Sequence, residues 1–159
     1  LQFARPRPAE LQLTDLTALV GEVVTLAKTS GGPESNVNLA VEGDAQVSAM
    51  ADGNQVRQVL WNLVRNAAQV SRKGGDVHVR VRATGDEAEL AVLDRGPGVA
   101  PELREKLFDT FYSGTARGTG LGLAIVKRVA DAHGGRVEVR ERDGGGSEFA
   151  FVIPLRERA

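Results

Sequence analysis

With 159 residues, of which 42% are hydrophobic and 26% charged, the chain has the size and composition of one globular domain. It contains no cysteine, which excludes disulfides, thiol catalysis and cysteine-ligated metals, and which favours a cytoplasmic compartment. The net charge of −1, without a long basic run, argues against nucleic-acid binding, and no apolar run approaches the ~20 residues that span a bilayer.

The spacing of apolar residues predicts the elements of the N-terminal half. Residues 1–10 contain two prolines and indicate a linker rather than a regular element. The elements that follow are a helix at 14–29, short strands at 36–42 and 46–50, and a helix at 52–71. The last of these begins with a pair that resembles a capping box, since Gln55 stands three residues after Asp52.

The C-terminal half is predicted to be richer in strands. Its elements are strands at 77–83 and 87–94, a short helix opened by Pro101, a loop at 112–119, a helix at 120–132, and strands at 136–142 and 147–153. This order predicts an α/β two-layer sandwich, in which a mixed, mostly antiparallel sheet carries about three helices on one face. We expect residues 11–159 to form a single domain after the linker.

A row of amide side chains lies along one face of the helix predicted at 52–71. Gln58, Asn62, Asn66 and Gln69 share this face because they are spaced by three or four residues. The row is either a solvated surface or a source of neutral oxygen ligands for Mg²⁺, which keeps its waters and phosphate oxygens and takes few protein ligands.

Asp94 ends a predicted strand in the same alternation as Leu90 and Val92, so its carboxylate faces the buried side and needs a partner. That partner is either a local turn amide or an exocyclic amine such as N6 of adenine. Guanine presents an oxygen at that position and would be mismatched. Ser147 has the same parity as Phe149, so its hydroxyl also faces inwards, either at the same base or simply at the start of a strand.

Two glycine-rich segments are further candidate parts of the site. In residues 94–98, glycines allow a tight turn and a close approach to a flat ring. Residues 118–123 lead into a helix, where backbone N–H groups can bind phosphate, although glycines there also permit close helix packing. A Walker lysine and a directly preceding strand are both missing, so neither a P-loop nor a dinucleotide fold is indicated.

The residues between these segments allow further contacts. The loop at 112–119 is interpreted as a lid over the phosphates. Arg117 is either a triphosphate contact or a solvated charge, and Tyr112 either packs or touches the nucleotide. His78, on the solvent side of a strand, and His133, at a helix end where its charge suits the dipole, are interpreted as structural.

Five segments in this order resemble the sequence motifs of sensor histidine kinases. They are the N box (58–67), the first glycine box (94–99), the F box (108–112), the second glycine box (118–123) and the last motif (144–149). Residues 1–6 also resemble the exit from the dimerisation helices of that family. The resemblance implies the ATP-binding fold shared by histidine kinases, gyrase, Hsp90 and MutL.

The resemblance also implies roles for individual residues. Asn66 is the expected principal Mg²⁺ ligand with Asn62 in support, and both are the expected catalytic residues. Asp94 is expected to bind adenine N6 beside Ser147. The expected ATP site comprises Asn62, Asn66, Asp94, Gly96, Gly98, Val99, Tyr112, Arg117, Gly118, Thr119, Gly120, Leu121, Gly122, Leu123 and Ser147.

Related ATPases carry a glutamate at the position of Asn62 to activate water. An amide there favours phosphoryl transfer to a histidine. The phosphoacceptor histidine and the dimerisation helices are missing from the sequence, so the expected partners are the protein's own dimerisation domain and a response regulator. We expect the parent protein to be a homodimer and this domain alone to be a monomer that cannot phosphorylate itself in cis.

The sequence also departs from the family. Gln69 and the segment at 113–114 lack the basic residues that many members have there. These missing residues keep the second of two alternatives open. One is an anti-sigma-factor-like serine kinase, which lacks a dimerisation-helix exit. The other is a catalytically silent nucleotide-binding module.

Overall fold

The computed structural model describes residues 8–109 and 122–156, which contain seven strands and three α-helices. In chain order these are β1 (Gln12–Asp15), α1 (Leu16–Lys28), β2 (Asn38–Gly43), β3 (Ser48–Ala51), α2 (Gly53–Val70), β4 (Asp76–Thr84), β5 (Glu87–Leu93), α3 (Gly122–Ala132), β6 (Arg136–Glu141) and β7 (Ser147–Pro154). Short 3₁₀ turns occupy Pro33–Ser35, Pro101–Leu103 and Lys106–Phe108.

The main sheet has five strands in the order β2-β4-β5-β7-β6. Only the β2–β4 pair is parallel, and the other three pairs are antiparallel. The predicted α/β sandwich with a mixed, mostly antiparallel sheet is therefore confirmed. None of the helices formed by the described residues has the length and apolar content that a membrane span requires.

A second, two-stranded sheet is present that is not predicted from the sequence. The strands predicted at 36–42 and 46–50 do not pair with each other, because β2 joins the main sheet while β3 pairs antiparallel with β1. β1 itself covers residues that the periodicity partly assigned to the first helix, which begins only at Leu16. Pairing between Gln12 and Ala51 is non-local, and apolar spacing within either segment does not encode it.

The three α-helices bury their apolar stripes against one face of the main sheet. Caps fix two of the helix starts, since the Asp15 carboxylate accepts from Ala18 N at 3.0 Å and the Asp52 carboxylate accepts from Gln55 N at 3.2 Å. Asp52 is thus the N-cap that the sequence predicts for α2. Because α2 lies beside both α1 and α3, it forms the centre of the helical layer.

His133 is buried just beyond α3, and its environment differs from the expected one. Its Nε2 accepts a hydrogen bond from Asp52 N at 3.0 Å, while Nδ1 lies 2.8 Å from the Val129 carbonyl oxygen. A ring nitrogen that accepts from a backbone N–H carries no proton, so the ring is neutral and gains nothing from the helix dipole as a cation. His133 is structural, as expected, but through hydrogen bonds that join α3 to the start of α2.

The opposite face of the sheet carries a network of charged side chains instead of helices. Glu89 and Glu148 are both buried, and Arg80 bonds each of them at 2.8 Å, while Arg140 also bonds both. Beneath the network lies a small apolar cluster: Ala91, Leu93, Ala150 and Val152. Arginine stems and paired head groups cover this cluster in place of a second helical layer.

Candidate functional site

The amide row of α2 borders the start of α3. Asn62 and Asn66 are half-buried, as is Gln69, whereas Gln58 is exposed. A Cβ placed on Gly122, the first residue of α3, would lie 4.0 Å from the Asn62 amide carbon. The structure therefore brings Gly122, at the end of the predicted phosphate-binding glycine segment, next to Asn62, one of the two predicted magnesium ligands.

Asp94 directly follows β5 and is only 1% exposed, as strand alternation predicts. Its Oδ1 accepts from Gly96 N at 2.8 Å and from Ser147 N at 3.3 Å. Its Oδ2 is buried and has no hydrogen-bond partner among the described residues. Burial raises the pKa of Asp94, while these two N–H groups and the charge of Arg142 act in the opposite direction.

Ser147 binds Asp94 through its backbone. In addition to the N–H contact with the carboxylate, the Ser147 carbonyl accepts from Asp94 N at 2.9 Å. The residue is buried, as predicted from its parity with Phe149. The first strand residue of β7 thus holds both the main chain and the side chain of Asp94.

Three glycines shape the space around Asp94 for different reasons. A Cβ at Gly96 would lie 2.9 Å from Val70 Cγ2 and 3.1 Å from Asp94 Oδ1, so the turn fits against the end of α2 only without a side chain. Gly98 has a φ of +80°, which disfavours other residues. Gly146 combines a φ of +107° with a position where a Cβ would overlap the Asp94 carbonyl oxygen.

Gly146 and Arg95 also belong to the site, although neither is among the site residues predicted from the sequence. The Arg95 guanidinium donates to the carbonyl oxygens of Asp143 at 2.5 Å and of Gly145 at 2.8 Å. It thereby ties the turn after Asp94 to the glycine hairpin between β6 and β7. The hairpin glycines were a detectable signal for Gly146, whereas a single arginine beside Asp94 carried none.

The remaining predicted site residues fall into two groups. Val99 and Leu123 are half-buried and pack against the main core. The residues outside the described part of the chain are Tyr112, Arg117, Gly118, Thr119, Gly120 and Leu121.

Two buried polar atoms indicate what the site can hold. Asp94 Oδ2 can accept a hydrogen bond, and Asn62 Nδ2, which is also buried without a partner among the described residues, can donate one. Rotation of the Asn62 amide would present its oxygen in the same place. A buried polar group is costly unless it is paired, so these atoms suit a ligand that has an amine and anionic oxygens.

The metal chemistry of the site depends on amide oxygens. No group of three or more His, Asp or Glu side chains in the described part of the chain could hold a metal ion. Asn62 and Asn66 offer at most two neutral oxygens, which suits an ion that receives most of its ligands from water and phosphate. The residues present therefore fit Mg²⁺ bound together with a polyphosphate.

Comparison with known proteins gives one family match and many relatives. The family of histidine kinase-, DNA gyrase B-, and HSP90-like ATPases matches residues 51–157. The signal transduction histidine-protein kinase AtoS of Escherichia coli (strain K12) is 34% identical over 157 residues. That alignment covers 98% of this chain but 26% of AtoS, so the chain spans about a quarter of that relative.

Solved structures of histidine kinases are also similar to this chain. The catalytic domain of histidine kinase ThkA has a TM-score of 0.83 at 31% identity, with 93% of this chain and 97% of that chain covered. Full-length ShkA in complex with AMPPNP also has a TM-score of 0.83, at 33% identity, with 99% of this chain and 35% of ShkA covered.

Proposed function

This chain belongs to the family of histidine kinase-, DNA gyrase B-, and HSP90-like ATPases, and we propose that it is the ATP-binding catalytic domain of a sensor histidine kinase. In this proposal it binds Mg-ATP and transfers the γ-phosphoryl group to a histidine of the protein's dimerisation domain. The observation that supports it best is the buried Asp94 carboxylate, in which one oxygen is bonded to Gly96 N and Ser147 N while the other has no partner among the described residues.

The free oxygen supports adenine as the base. Asp94 Oδ2 accepts a hydrogen bond from the N6 amino group, and this compensates for its buried position. O6 of guanine would instead face a second acceptor, which leaves both oxygens unpaired. Gly96 and Gly98 let the main chain approach the ring, and Ser147 holds the carboxylate in place.

The polyphosphate end is assigned to the region where α2 meets α3. Asn66, supported by Asn62, holds Mg²⁺, which neutralises charge on the phosphates when bound. The segment that leads into Gly122 and Leu123 supplies backbone N–H groups to the phosphate oxygens. Tyr112 and Arg117 are assigned to the cover over this end, as the sequence predicts.

The amide at position 62 favours transfer over hydrolysis. Asn62 has no basic oxygen that could take a proton from water, so the site lacks a hydrolytic base at that position. Positioning and charge neutralisation then account for most of the catalysis of phosphoryl transfer. The phosphohistidine passes the group to a response-regulator aspartate in the cytoplasm, and a structure of ThkA with the response regulator TrrA supports such a partner.

The test is phosphoryl transfer in trans. The chain is mixed with [γ-³²P]ATP, Mg²⁺ and the separately prepared dimerisation hairpin of its parent protein, and acid-labile, base-stable phosphate on the hairpin is measured. We expect label on the hairpin, its loss in Asn66→Ala, and near-normal labelling in Gln58→Ala, which removes an exposed amide of the same helix face. ATP binding without transfer would instead identify a silent nucleotide-binding module.

A further inference from the structure

The ring of His133 links the C-terminal end of α3 to the N-terminal end of α2. It is buried directly after α3, and its Nε2 accepts from Asp52 N, the N-cap residue of α2, at 3.0 Å. Nδ1 donates to the Val129 carbonyl at 2.8 Å, and the ring meets Phe151 edge to face, with 6.2 Å between the ring centroids. Because these contacts hold the ring on three sides, the end of α3 is fixed to the start of α2.

The other end of α3 lies beside the predicted magnesium site. A Cβ on Gly122, the first residue of α3, would be 4.0 Å from the amide carbon of Asn62. Since α3 begins beside Asn62 and ends beside Asp52, the two helices are antiparallel. Asn62 is ten residues after Asp52, and His133 is eleven residues after Gly122, so at about 1.5 Å per residue both spans are about 15–17 Å long. The bond at one end of the pair therefore determines which residues meet at the other.

The alignment of the two helices depends on this bond more than on their apolar contacts. Val126 and Val129 of α3 are buried in the same core as Val59 of α2, but burial of apolar surface is non-directional. A hydrogen bond requires a narrow range of distances and angles. A slide of α3 by one residue, about 1.5 Å, would therefore break the bond between His133 and Asp52 while much of the apolar surface stayed buried.

We propose that His133 is a positioning residue for the phosphate end of the nucleotide site. It holds α3 in the register that places Gly122 beside Asn62, and it thereby aligns the phosphate-binding segment with the Mg²⁺ amides. This inference rests on the proposed function in assigning these residues to Mg-ATP. Asp94 and Ser147, at the base end, belong to β5's exit and β7 and bond each other, so the base end does not depend on the register of α3.

The first test compares binding at the two ends of the site. Calorimetry gives the affinity for Mg-AMPPNP, and NMR titration gives the affinity for adenosine, which has no phosphate. His133→Leu removes the acceptor and keeps an apolar side chain against Phe151, whereas His133→Gln places an amide oxygen near the position of Nε2. Thr17→Val is the matched control, because Thr17 Oγ1 also accepts from a distant backbone amide, Val47 N, at 2.9 Å, but joins α1 rather than α3 to its neighbour.

We expect His133→Leu to bind Mg-AMPPNP roughly tenfold more weakly, as for the loss of one contact to a charged oxygen, and to bind adenosine within about twofold of the wild type. His133→Gln should recover most of the affinity. Thr17→Val should change neither affinity, even though urea unfolding shows a loss of stability. Equal weakening towards both ligands in His133→Leu would show a merely structural role and overturn the inference, and so would an undiminished affinity for Mg-AMPPNP.

The second test needs no variant. Coupling between two sites is reciprocal, so Mg-AMPPNP bound between Asn62 and the start of α3 should in turn stabilise the bond of His133 to Asp52. We expect the Asp52 amide to exchange with deuterium several-fold more slowly when the domain is saturated with Mg-AMPPNP than with adenosine. Equal exchange rates would overturn the inference.

The two proposals fail in different ways. A wild type that binds Mg-AMPPNP no more tightly than adenosine would refute the proposed function at its phosphate end, together with the role of His133 that rests on it. Tight binding of Mg-AMPPNP by both the wild type and His133→Leu would refute only the role of His133.

Discussion

The substitution Asp94→Asn should separate the stability of the domain from its binding of nucleotide. The asparagine can keep both hydrogen bonds of Oδ1, to Gly96 N and to Ser147 N. It removes a buried negative charge and places an NH₂ group at the position of Oδ2, which has no partner within residues 8–109 and 122–156. The fold loses no bond, whereas an adenine amino group loses its acceptor and meets a second donor.

The sign of the stability change follows from the pKa of Asp94, which burial raises above that of the unfolded chain. Such a group contributes stability that is present at acidic pH and is lost as the pH rises through the folded-state pKa. At pH 8, therefore, the unliganded variant should equal the wild type or exceed it by up to about 1 kcal/mol. This advantage should disappear on acidification, when Asp94 takes up a proton.

Binding should change in the opposite direction. A hydrogen bond to a charged acceptor contributes about 1.5–3 kcal/mol, so the affinity for AMPPNP should fall by roughly 10- to 150-fold. At a ligand concentration about 100 times the wild-type Kd, the wild type gains about 2.7 kcal/mol and the variant far less. The order of the melting temperatures should thus reverse on addition of nucleotide.

The assays are urea unfolding at pH 5 and pH 8, thermal melts with and without AMPPNP and Mg²⁺, and calorimetric titration. Two results would refute the reasoning. One is an unliganded variant that is less stable than the wild type by several kcal/mol, which would make the carboxylate a structural anion. The other is undiminished affinity, which would remove Asp94 from the base site.

Three other substitutions test separate parts of the structure. Gly146→Ala should abolish nucleotide binding in calorimetry and lower the free energy of unfolding by more than about 2 kcal/mol. The new Cβ would overlap the Asp94 carbonyl oxygen, and the backbone φ of +107° disfavours alanine. Normal binding would show that the hairpin can move away. Glu148→Gln should flatten the fall of stability between about pH 5 and pH 3 in urea unfolding. Burial alone raises the pKa of Glu148, but hydrogen bonds and charges of two arginines lower it overall. The ionised Glu148 therefore stabilises the wild type, and this stabilisation is lost as the pH falls. An unchanged slope in the variant would contradict the lowered pKa. Asp52→Ala should lower the melting temperature by the equivalent of about 1 kcal/mol through the lost cap to Gln55 N, with Asp52→Asn as the near-neutral control; equal losses in both variants would exclude capping as the cause.

The features that the sequence predicted correctly are those encoded locally. Apolar spacing predicts α2 and its extent within a residue or two, and the pair Asp52 and Gln55 predicts its cap. Alternation along β5 predicts that Asp94 is buried, because the side-chain direction in a strand depends only on parity. The predicted adenine, phosphate and magnesium roles remain predictions, since they depend on ligands.

The features that were missed depend on partners far along the chain. β1 is a strand because β3 is beside it, and His133 is neutral because Asp52 N, 81 residues earlier, donates to it. Gly146 must be glycine because the Asp94 carbonyl lies against it. In each case the nearby sequence is compatible with several environments, and only the folded chain selects one.

Buried carboxylates are paired with arginines on one face of the main sheet and only partly bonded on the other. Substitutions on the two faces should therefore affect stability and binding separately. On the outer face, which is the face opposite the helices, Glu89 and Glu148 are buried but form ion pairs with arginines. Their charges therefore support the fold. On the helical face, Asp94 is buried more deeply than either glutamate, and one of its oxygens has no partner in the described part of the chain. Substitutions in the outer network should therefore change stability at constant nucleotide affinity. At Asp94, a substitution that raises the stability of the unliganded domain should lower its nucleotide affinity, because both quantities depend on the same oxygen.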